Sequence, residues 1–136
     1  VLEWLMSHPA TQGVAIEARP DRAARIKANA EKLGQSRLHV VEGRAPEMLE
    51  GLPPPDAVFV GGGLSRETLQ WLEDHLPEGT RMVVNAVTLE TEALVVEAAS
   101  RLGGALIKLE LSEAQPLGRF RGWKAAYPLV QWSVTL

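Results

Sequence analysis

Three consecutive glycines, Gly61, Gly62 and Gly63, follow a short run of β-branched and aromatic residues over 57–60. Ser65 follows and can accept a hydrogen bond from the first turn of a helix. Because glycine has no side chain, this loop lets the backbone approach a ligand closely. Open α/β sheets bind their ligands at the carboxyl ends of the strands. The pattern predicts the floor of a ligand site, although a plain glycine-rich turn would look the same.

Two earlier predicted strands end in other residues with useful chemistry. Glu17 and Ala18 end the first, and the Glu17 carboxylate can accept from both hydroxyls of a ribose, as in mononucleotide-binding folds. A solvated glutamate at a strand end is the alternative. Gly43, Arg44 and Ala45 end the second strand, where small residues can turn backbone amides toward an adenine ring. A simple strand-to-helix turn would have the same composition.

Repeated strand and helix segments are required to position these residues. The last two predicted strands, 106–111 and 129–135, should pair antiparallel, because their connector has no helical pattern that could serve as a crossover. The sequence therefore predicts an α/β fold with a Rossmann-like, doubly wound parallel sheet and an antiparallel C-terminal hairpin. The earlier elements are an N-terminal helix over 1–8, strands over 13–17, 38–42, 57–60 and 80–86, helices over 20–33 and 66–75, a short helix from 46, and a long helix from Thr88 to Gly103.

Composition limits the function further. The chain of 136 residues has the size of one domain, so we expect a single domain over 1–136. A net charge of −3 with 14 dispersed basic residues argues against a nucleic-acid partner. The absence of cysteine excludes disulfides and thiolate metal sites, and no His/Asp/Glu cluster has metal-ligand spacing, so we expect no metal. No apolar run approaches the roughly 20 residues of a membrane span, and we expect a cytoplasmic protein without a membrane partner.

Four segments, taken in order, resemble the decarboxylating precorrin methyltransferase family of cobalamin biosynthesis. They are 43–46, 56–63, 85–90 and 115–120, and the likeness extends over the whole chain. The resemblance implies a class I S-adenosylmethionine-dependent methyltransferase fold and a corrin precursor as substrate. It also implies methylation at C15, decarboxylation of the C12 acetate and a homotetramer.

The resemblance also implies roles for individual residues. Glu17 would hold the ribose hydroxyls of S-adenosylmethionine, with Ala18 beside it, and Gly43, Arg44 and Ala45 would surround the adenine. Gly61 and Gly62 would lie near the sulfonium and its methyl group. The tetrapyrrole would contact the candidate catalytic residues Gly63 and Asn85, together with Thr88, Gln115, Pro116, Leu117, Gly118 and Arg119.

Members of this family carry a first strand and a glycine-rich cofactor loop ahead of the N-terminal helix, and neither is present in these 136 residues. We therefore expect the methyltransferase domain to be incomplete at its N-terminus and to continue upstream. Without that strand, the sheet would have unpaired apolar edges.

The connector between the last two strands interleaves cations with aromatic rings. Arg119, Arg121 and Lys124 could meet the carboxylates of a tetrapyrrole while Phe120 covers its ring. A platform for single-stranded RNA has a similar composition, but the net negative charge argues against it. Alternatively, Phe120 and Trp123 pack the connector onto the sheet, which we expect of Trp123.

Two other functions remain open from the sequence. One is a class I methyltransferase for a different substrate, such as a protein or an RNA, and the other is a nucleotide-binding module without catalysis. Methyl transfer needs in-line placement in a dry pocket more than acid or base groups, so glycines and an amide suffice for the leading interpretation.

Overall fold

The computed structural model describes residues 2–136, and the side chains of Glu3 and Trp4 are not described. Val1, the first residue of the predicted N-terminal helix, lies outside the described residues. The chain divides into two compact units, 1–52 and 53–136, and each is described by itself.

The first unit is a helix followed by two strand–helix segments. Its elements are α1 (Leu2–Met6), β1 (Gly13–Glu17), α2 (Pro20–Lys32), β2 (Leu38–Glu42) and a 3-10 turn (Glu47–Leu49). Strands β1 and β2 pair in parallel, so Glu17 lies beside Glu42 at their carboxyl ends. Leu5, Ala23 and Ala30 are buried in this unit. The predicted strands and α2 are confirmed, whereas the helix predicted from residue 46 is only a 3-10 turn.

Arg37 joins distant segments of the first unit. Its guanidinium donates to the carbonyl oxygens of Leu5 at 2.5 Å, His8 at 2.6 Å and Thr11 at 2.7 Å. The side-chain oxygen of Gln35 accepts a fourth bond at 3.0 Å. Because α1 ends at Met6, the Leu5 carbonyl has no partner within the helix, and Arg37 satisfies it.

The second unit is built on a four-stranded sheet. Its elements are β3 (Ala57–Val60), α3 (Arg66–His75), β4 (Arg81–Ala86), α4 (Leu89–Leu102), β5 (Ala105–Leu109), β6 (Ser112–Leu117), β7 (Phe120–Ala125) and β8 (Leu129–Thr135). The strand order is β3-β4-β8-β5. Strand β8 runs antiparallel to both of its neighbours, which confirms the antiparallel pairing of the last two predicted strands.

Alternation along β4 and β8 gives this sheet one buried face. Val84 and Trp132 are fully buried, and the indole Nε1 of Trp132 donates to the Gly103 carbonyl oxygen at 2.9 Å. Leu72 of α3 and Val95 of α4 are also buried. Side chains on the opposite face remain partly accessible, and these include Asn85 and Gln131.

The connector between β5 and β8 differs from the prediction, because it forms a hairpin of its own. Strands β6 and β7 pair antiparallel through a turn in which Gly118 has φ +59°. Trp123 is 79% exposed, so the expectation that it packs the connector onto the sheet is wrong. Phe120 is exposed as well. The physical reason is that β6 and β7 pair only with each other, forming a separate two-stranded sheet.

Strand β3 is less buried than its composition predicts. Phe59 is 52% exposed, although it lies within an apolar run typical of a buried strand. In the register of the sheet, Phe59 lies beside Val83 of β4, on the face opposite Val84. Phe59 is therefore an accessible apolar side chain on the face that also carries Asn85 and Gln131.

Candidate functional site

The glycine loop lies where β3 ends. Gly63 has φ +74°, a conformation that favours glycine. At Gly62, in contrast, φ is not positive and an added Cβ would meet nothing within 4 Å. Neither the backbone conformation nor a neighbouring atom therefore requires glycine at position 62.

Ser65 ends this loop by capping α3, as predicted. Its hydroxyl oxygen accepts from the Thr68 backbone N–H at 3.0 Å and donates to Thr68 Oγ1 at 2.9 Å. Both side-chain contacts tie the start of α3 to the loop. The three glycines are thus held between a strand and a capped helix.

Asn85 and Thr88 lie at the carboxyl end of the neighbouring strand. Asn85 follows the last register pair of β3 and β4, Val60 with Val84, and Gly61 follows the same pair on β3. Thr88 caps α4 as predicted, since its Oγ1 accepts from the Thr91 backbone N–H at 3.3 Å and donates to Thr91 Oγ1 at 3.1 Å. The donor capacity of Thr88 is therefore already used within the helix.

The sequence analysis did not include Gln131 among the site residues. Its Nε2 donates to Asn85 Oδ1 at 2.9 Å from the adjacent strand β8. The alternation along β8 placed Gln131 on the more polar face, but the sequence carries no signal for a partner 46 residues away.

In the first unit, the two predicted strand-end segments lie side by side. The Gly43 backbone N–H donates to the Glu17 carbonyl oxygen at 3.1 Å. Glu17 Oε1 accepts from the Arg19 backbone N–H at 2.9 Å, and Oε2 has no partner among the described residues. Glu17 thus orders the turn into α2 and keeps one oxygen available to a ligand. Its neighbour Glu42 pairs with Lys27 at 2.8 Å.

Gly43 is required by its surroundings. Its φ is +153°, and a Cβ at this position would overlap the Met48 side chain. Ala18, Arg44 and Ala45 are exposed beside it. The assignment of this segment to the surroundings of a base stays a prediction.

The predicted tetrapyrrole segment Gln115–Arg119 lies on β6 and the tip of the β6–β7 hairpin. Arg119 lies over the Phe120 ring, 5.2 Å from its centroid, and has no ion pair among the described residues. Leu117 is also exposed at this tip. Gln115 contacts Glu113 at 3.4 Å on the same strand, and Pro116 and Gly118 complete the segment. The tip therefore presents a cation next to an aromatic ring.

Two clefts lie away from these residues. A cleft of about 380 Å³ is lined by residues of 54–56 and 77–81, at the ends of β3 and β4 opposite the glycine loop. In the first unit, a cleft of about 630 Å³ lies between α2 and β2. Within residues 2–136 no three His, Cys, Asp or Glu side chains are grouped to hold a metal ion. No helix in the same range is long and apolar enough to cross a bilayer.

Comparison with solved structures defines the class of the fold. The chain superimposes on an S-adenosylmethionine-dependent O-methyltransferase of Thermotoga maritima with a TM-score of 0.60 at 15% identity, over 93% of this chain and 51% of that chain. This likeness concerns the fold alone. The fold is that of the S-adenosylmethionine-dependent methyltransferases, as predicted.

A closer group of relatives identifies the family. The sequence profile of the precorrin methyltransferase domain matches residues 1–136, and the chain belongs to this family. The C-terminal domain of precorrin-6Y C5,15-methyltransferase from Rhodobacter capsulatus is 43% identical with a TM-score of 0.94, over 99% of this chain and 73% of that chain. The decarboxylating precorrin-6Y C(5,15)-methyltransferase of a Sinorhizobium species is 46% identical over 98% of this chain. The chain spans 33% of the length of that relative.

Proposed function

We propose that this chain carries out S-adenosylmethionine-dependent methylation of a precorrin at C15, with decarboxylation of the C12 acetate, in cobalamin biosynthesis. The observation that carries the proposal is the match of the precorrin methyltransferase domain to residues 1–136. It is supported by relatives whose names specify a decarboxylating C(5,15)-methyltransferase of precorrin-6Y. We further propose that the protein acts in the cytoplasm, where S-adenosylmethionine is made.

The residues of the first unit fit the adenosine part of S-adenosylmethionine. The available Oε2 of Glu17 can accept from a ribose hydroxyl, and Oε1 retains a lone pair after accepting from Arg19. We assign Ala18, Gly43, Arg44 and Ala45 to the surroundings of the adenine, and Ala18 and Arg44 are exposed there. In the second unit, we assign Gly61 and Gly62 to the neighbourhood of the methyl group, because a side chain at Gly62 would occupy open space.

The remaining predicted residues are assigned to the tetrapyrrole. The substrate is a flat ring with carboxylates at its edge, so it needs donors and cations at the rim and apolar contacts on its faces. Arg119 supplies a cation and its neighbour Leu117 an exposed apolar side chain. Asn85 supplies an amide beside the glycine loop, and Gly63 leaves space there. Thr88, Gln115, Pro116 and Gly118 complete the proposed set.

When bound, S-adenosylmethionine supplies a methyl group activated by the sulfonium. The task of the protein is to place the ring carbon in line with that methyl group and to exclude water, and side-chain-free residues such as Gly61 and Gly62 allow this close approach. The electrons released by decarboxylation can enter the conjugated macrocycle itself. The proposed mechanism therefore assigns no general base or metal ligand to this chain.

The test is turnover by the full-length protein with precorrin-6Y and S-adenosylmethionine labelled in its methyl group. Mass spectrometry should show a tetrapyrrole product that has gained a labelled methyl group at C15 and lost carbon dioxide. Methylation without loss of carbon dioxide would contradict the decarboxylation, and absence of any labelled tetrapyrrole would contradict the proposed function. Label found instead in RNA or protein would identify a methyltransferase of a different substrate class.

Arg119→Ala tests the substrate end of the proposal. We expect KM for the precorrin to rise by about tenfold or more, because a hydrogen bond to a charged group is lost. The affinity for S-adenosylhomocysteine should not change. Arg25→Ala, which removes an exposed cation from α2, is the matched control. Equal effects of the two variants would mean that only the net charge matters.

We also propose that the protein assembles as a homotetramer through the exposed apolar surface of β5 and the β6–β7 hairpin. A two-stranded hairpin alone is only marginally stable in water, so its exposed rings require a covering surface. Leu109 and Leu111 extend the same apolar character along the chain from β5, at 52% and 71% exposure.

A further inference from the structure

The Asn85 side chain is held by a single cross-strand partner. Asn85 and Gln131 are directly opposite in the register of β4 and β8, and both are partly buried. Gln131 Nε2 donates to Asn85 Oδ1 at 2.9 Å, which is the usual length of an N–H···O bond. The other cross-strand neighbour of Gln131 is Ile107 of β5, which offers no polar side-chain atom. Among residues 2–136, the Gln131 amide therefore has Asn85 as its polar partner directly across the sheet.

In the structure this bond uses the Oδ1 end of the Asn85 amide. Since Oδ1 accepts from Gln131, the Nδ2 group with its two N–H donors points away from that bond. Nδ2 has no partner within residues 2–136, and no buried side-chain nitrogen or oxygen atom in that range lacks a hydrogen bond. It follows that Nδ2 is accessible. Asn85 thus presents a donor, and not an acceptor, at the level of Gly61.

We propose that Gln131 is a positioning residue, which holds Asn85 as a hydrogen-bond donor for a carboxylate oxygen of the tetrapyrrole. The inference rests on the function proposed above, because it takes the assignment of Asn85 to the substrate from it. An anionic rim group needs a donor, and an amide whose oxygen pointed outward would repel it. Gln131 does not touch the substrate and acts only through the orientation of Asn85.

Gln131→Glu reverses this arrangement with almost no change of shape. A carboxylate only accepts hydrogen bonds, so Asn85 must turn its Nδ2 toward residue 131 and its Oδ1 toward the substrate. The cross-strand hydrogen bond and the thermal unfolding midpoint are retained. KM for the precorrin rises by about tenfold or more, as expected for losing a hydrogen bond to a charged group. Because a rim carboxylate is bound equally in the ground and transition states, kcat changes little.

A double-mutant cycle separates this role from a structural one. Asn85→Ala raises KM by a similar factor, and Gln131→Glu in the Asn85→Ala background adds no further increase, because the donor is already lost. Gln12→Glu, the same substitution at an exposed loop position, is the control and leaves KM unchanged. Affinity for S-adenosylhomocysteine stays the same in all variants.

The result that overturns the inference is a wild-type KM in Gln131→Glu, or effects of the two substitutions that add independently. Failure of the wild-type protein to turn over the precorrin would instead overturn the proposed function, and with it the role of Gln131. Turnover by the wild type, together with an unchanged KM in Gln131→Glu, would contradict only the role of Gln131 and would leave the proposed function intact. The two failures are therefore distinguishable in one set of assays.

Discussion

The two carboxylate oxygens of Glu17 are assigned different roles. Oε1 orders the turn into α2 by accepting from the Arg19 backbone N–H, and Oε2 is assigned to the ribose. Glu17→Gln keeps an oxygen for the turn but removes the charge and one acceptor. We expect the affinity for S-adenosylhomocysteine to weaken by about 1 to 3 kcal/mol in a calorimetric titration, with little change in the melting temperature.

Glu42→Gln is the control for this prediction. It removes a charge at the adjacent strand end and an exposed ion pair with Lys27, which typically contributes about 0 to 1 kcal/mol to stability. It should leave the affinity unchanged. Equal weakening by both substitutions would show that Glu17 acts only through the local electrostatic potential.

Gly62 and Gly63 are adjacent but have different requirements. Gly63→Ala places a side chain at φ +74°, which should cost about 1 to 2 kcal/mol of unfolding free energy in urea denaturation. Gly62→Ala meets open space and should change that free energy by less than about 0.5 kcal/mol. Nevertheless, Gly62→Ala should weaken S-adenosylhomocysteine binding, because its methyl group enters the space assigned to the ligand. Full affinity in Gly62→Ala would argue that the loop is only a turn.

Helices α3 and α4 are joined by two exposed ion pairs. Arg66 bonds both carboxylate oxygens of Glu97, at 3.1 and 2.8 Å, and Arg101 bonds both oxygens of Glu73, at 2.6 and 2.7 Å. The hydrogen bond from Arg66, followed by its charge, lowers the pKa of Glu97 below its ordinary value of 4.5. Each pair therefore links one turn of α3 to one turn of α4.

The lowered pKa of Glu97 predicts a pH dependence of stability. A carboxyl group with a depressed pKa in the folded state contributes its full stabilisation above its ordinary pKa and loses it as the pH falls through the lower folded value. The free energy of unfolding should therefore decrease on acidification below about pH 4.5, and less steeply in Glu97→Gln. Glu110→Gln, at an exposed position without an ion pair among the described residues, should retain the wild-type slope. Identical slopes in all three proteins would contradict the prediction.

Most elements could be predicted because their ends carry local signals. Ser65 and Thr88 cap α3 and α4 as their positions indicated, and Pro20 begins α2. The β6–β7 hairpin was not predicted, because Pro116 within β6 argues against a strand. An exposed hairpin tolerates this proline, and Gly118 supplies the left-handed turn residue.

Long-range side-chain partners could not be predicted in the same way. Arg37 bonds carbonyl groups 26 to 32 residues away, and Gln131 bonds Asn85 across 46 residues. From the sequence alone, a cation or an amide side chain looks the same whether it is solvated or bonded to a distant residue. Its partner becomes visible only when the strand register or the end of the helix is known. Glu17 could be proposed from the sequence because it ends a predicted strand, and Asn85 was implied by the family resemblance. The hydrogen bond from Gln131 to Asn85 could not be predicted from either.

The second unit has several large apolar side chains that are exposed to solvent and lie outside its core. Trp123 and Tyr127 are 79% and 89% exposed, and Phe120 is 68% exposed. Aromatic side chains are enriched at protein interfaces. A stable interface buries at least about 1,000 Å² in total, so we assign both β5 and the hairpin to the proposed contact between copies of the chain.

Substitution of the apolar surface tests the assembly of the whole molecule. The wild-type protein should sediment as a tetramer, and Trp123→Asp and Leu109→Asp should each shift the population to smaller species, because a charge at the centre of an interface is left without a partner. Leu89→Asp is the matched control, since Leu89 is 79% exposed but lies at the start of α4. Sedimentation velocity over a range of concentrations measures all four proteins. A monomeric wild type, or dissociation of Leu89→Asp to the same extent, would show that the exposed apolar side chains of β5 and the hairpin do not hold copies of this chain together.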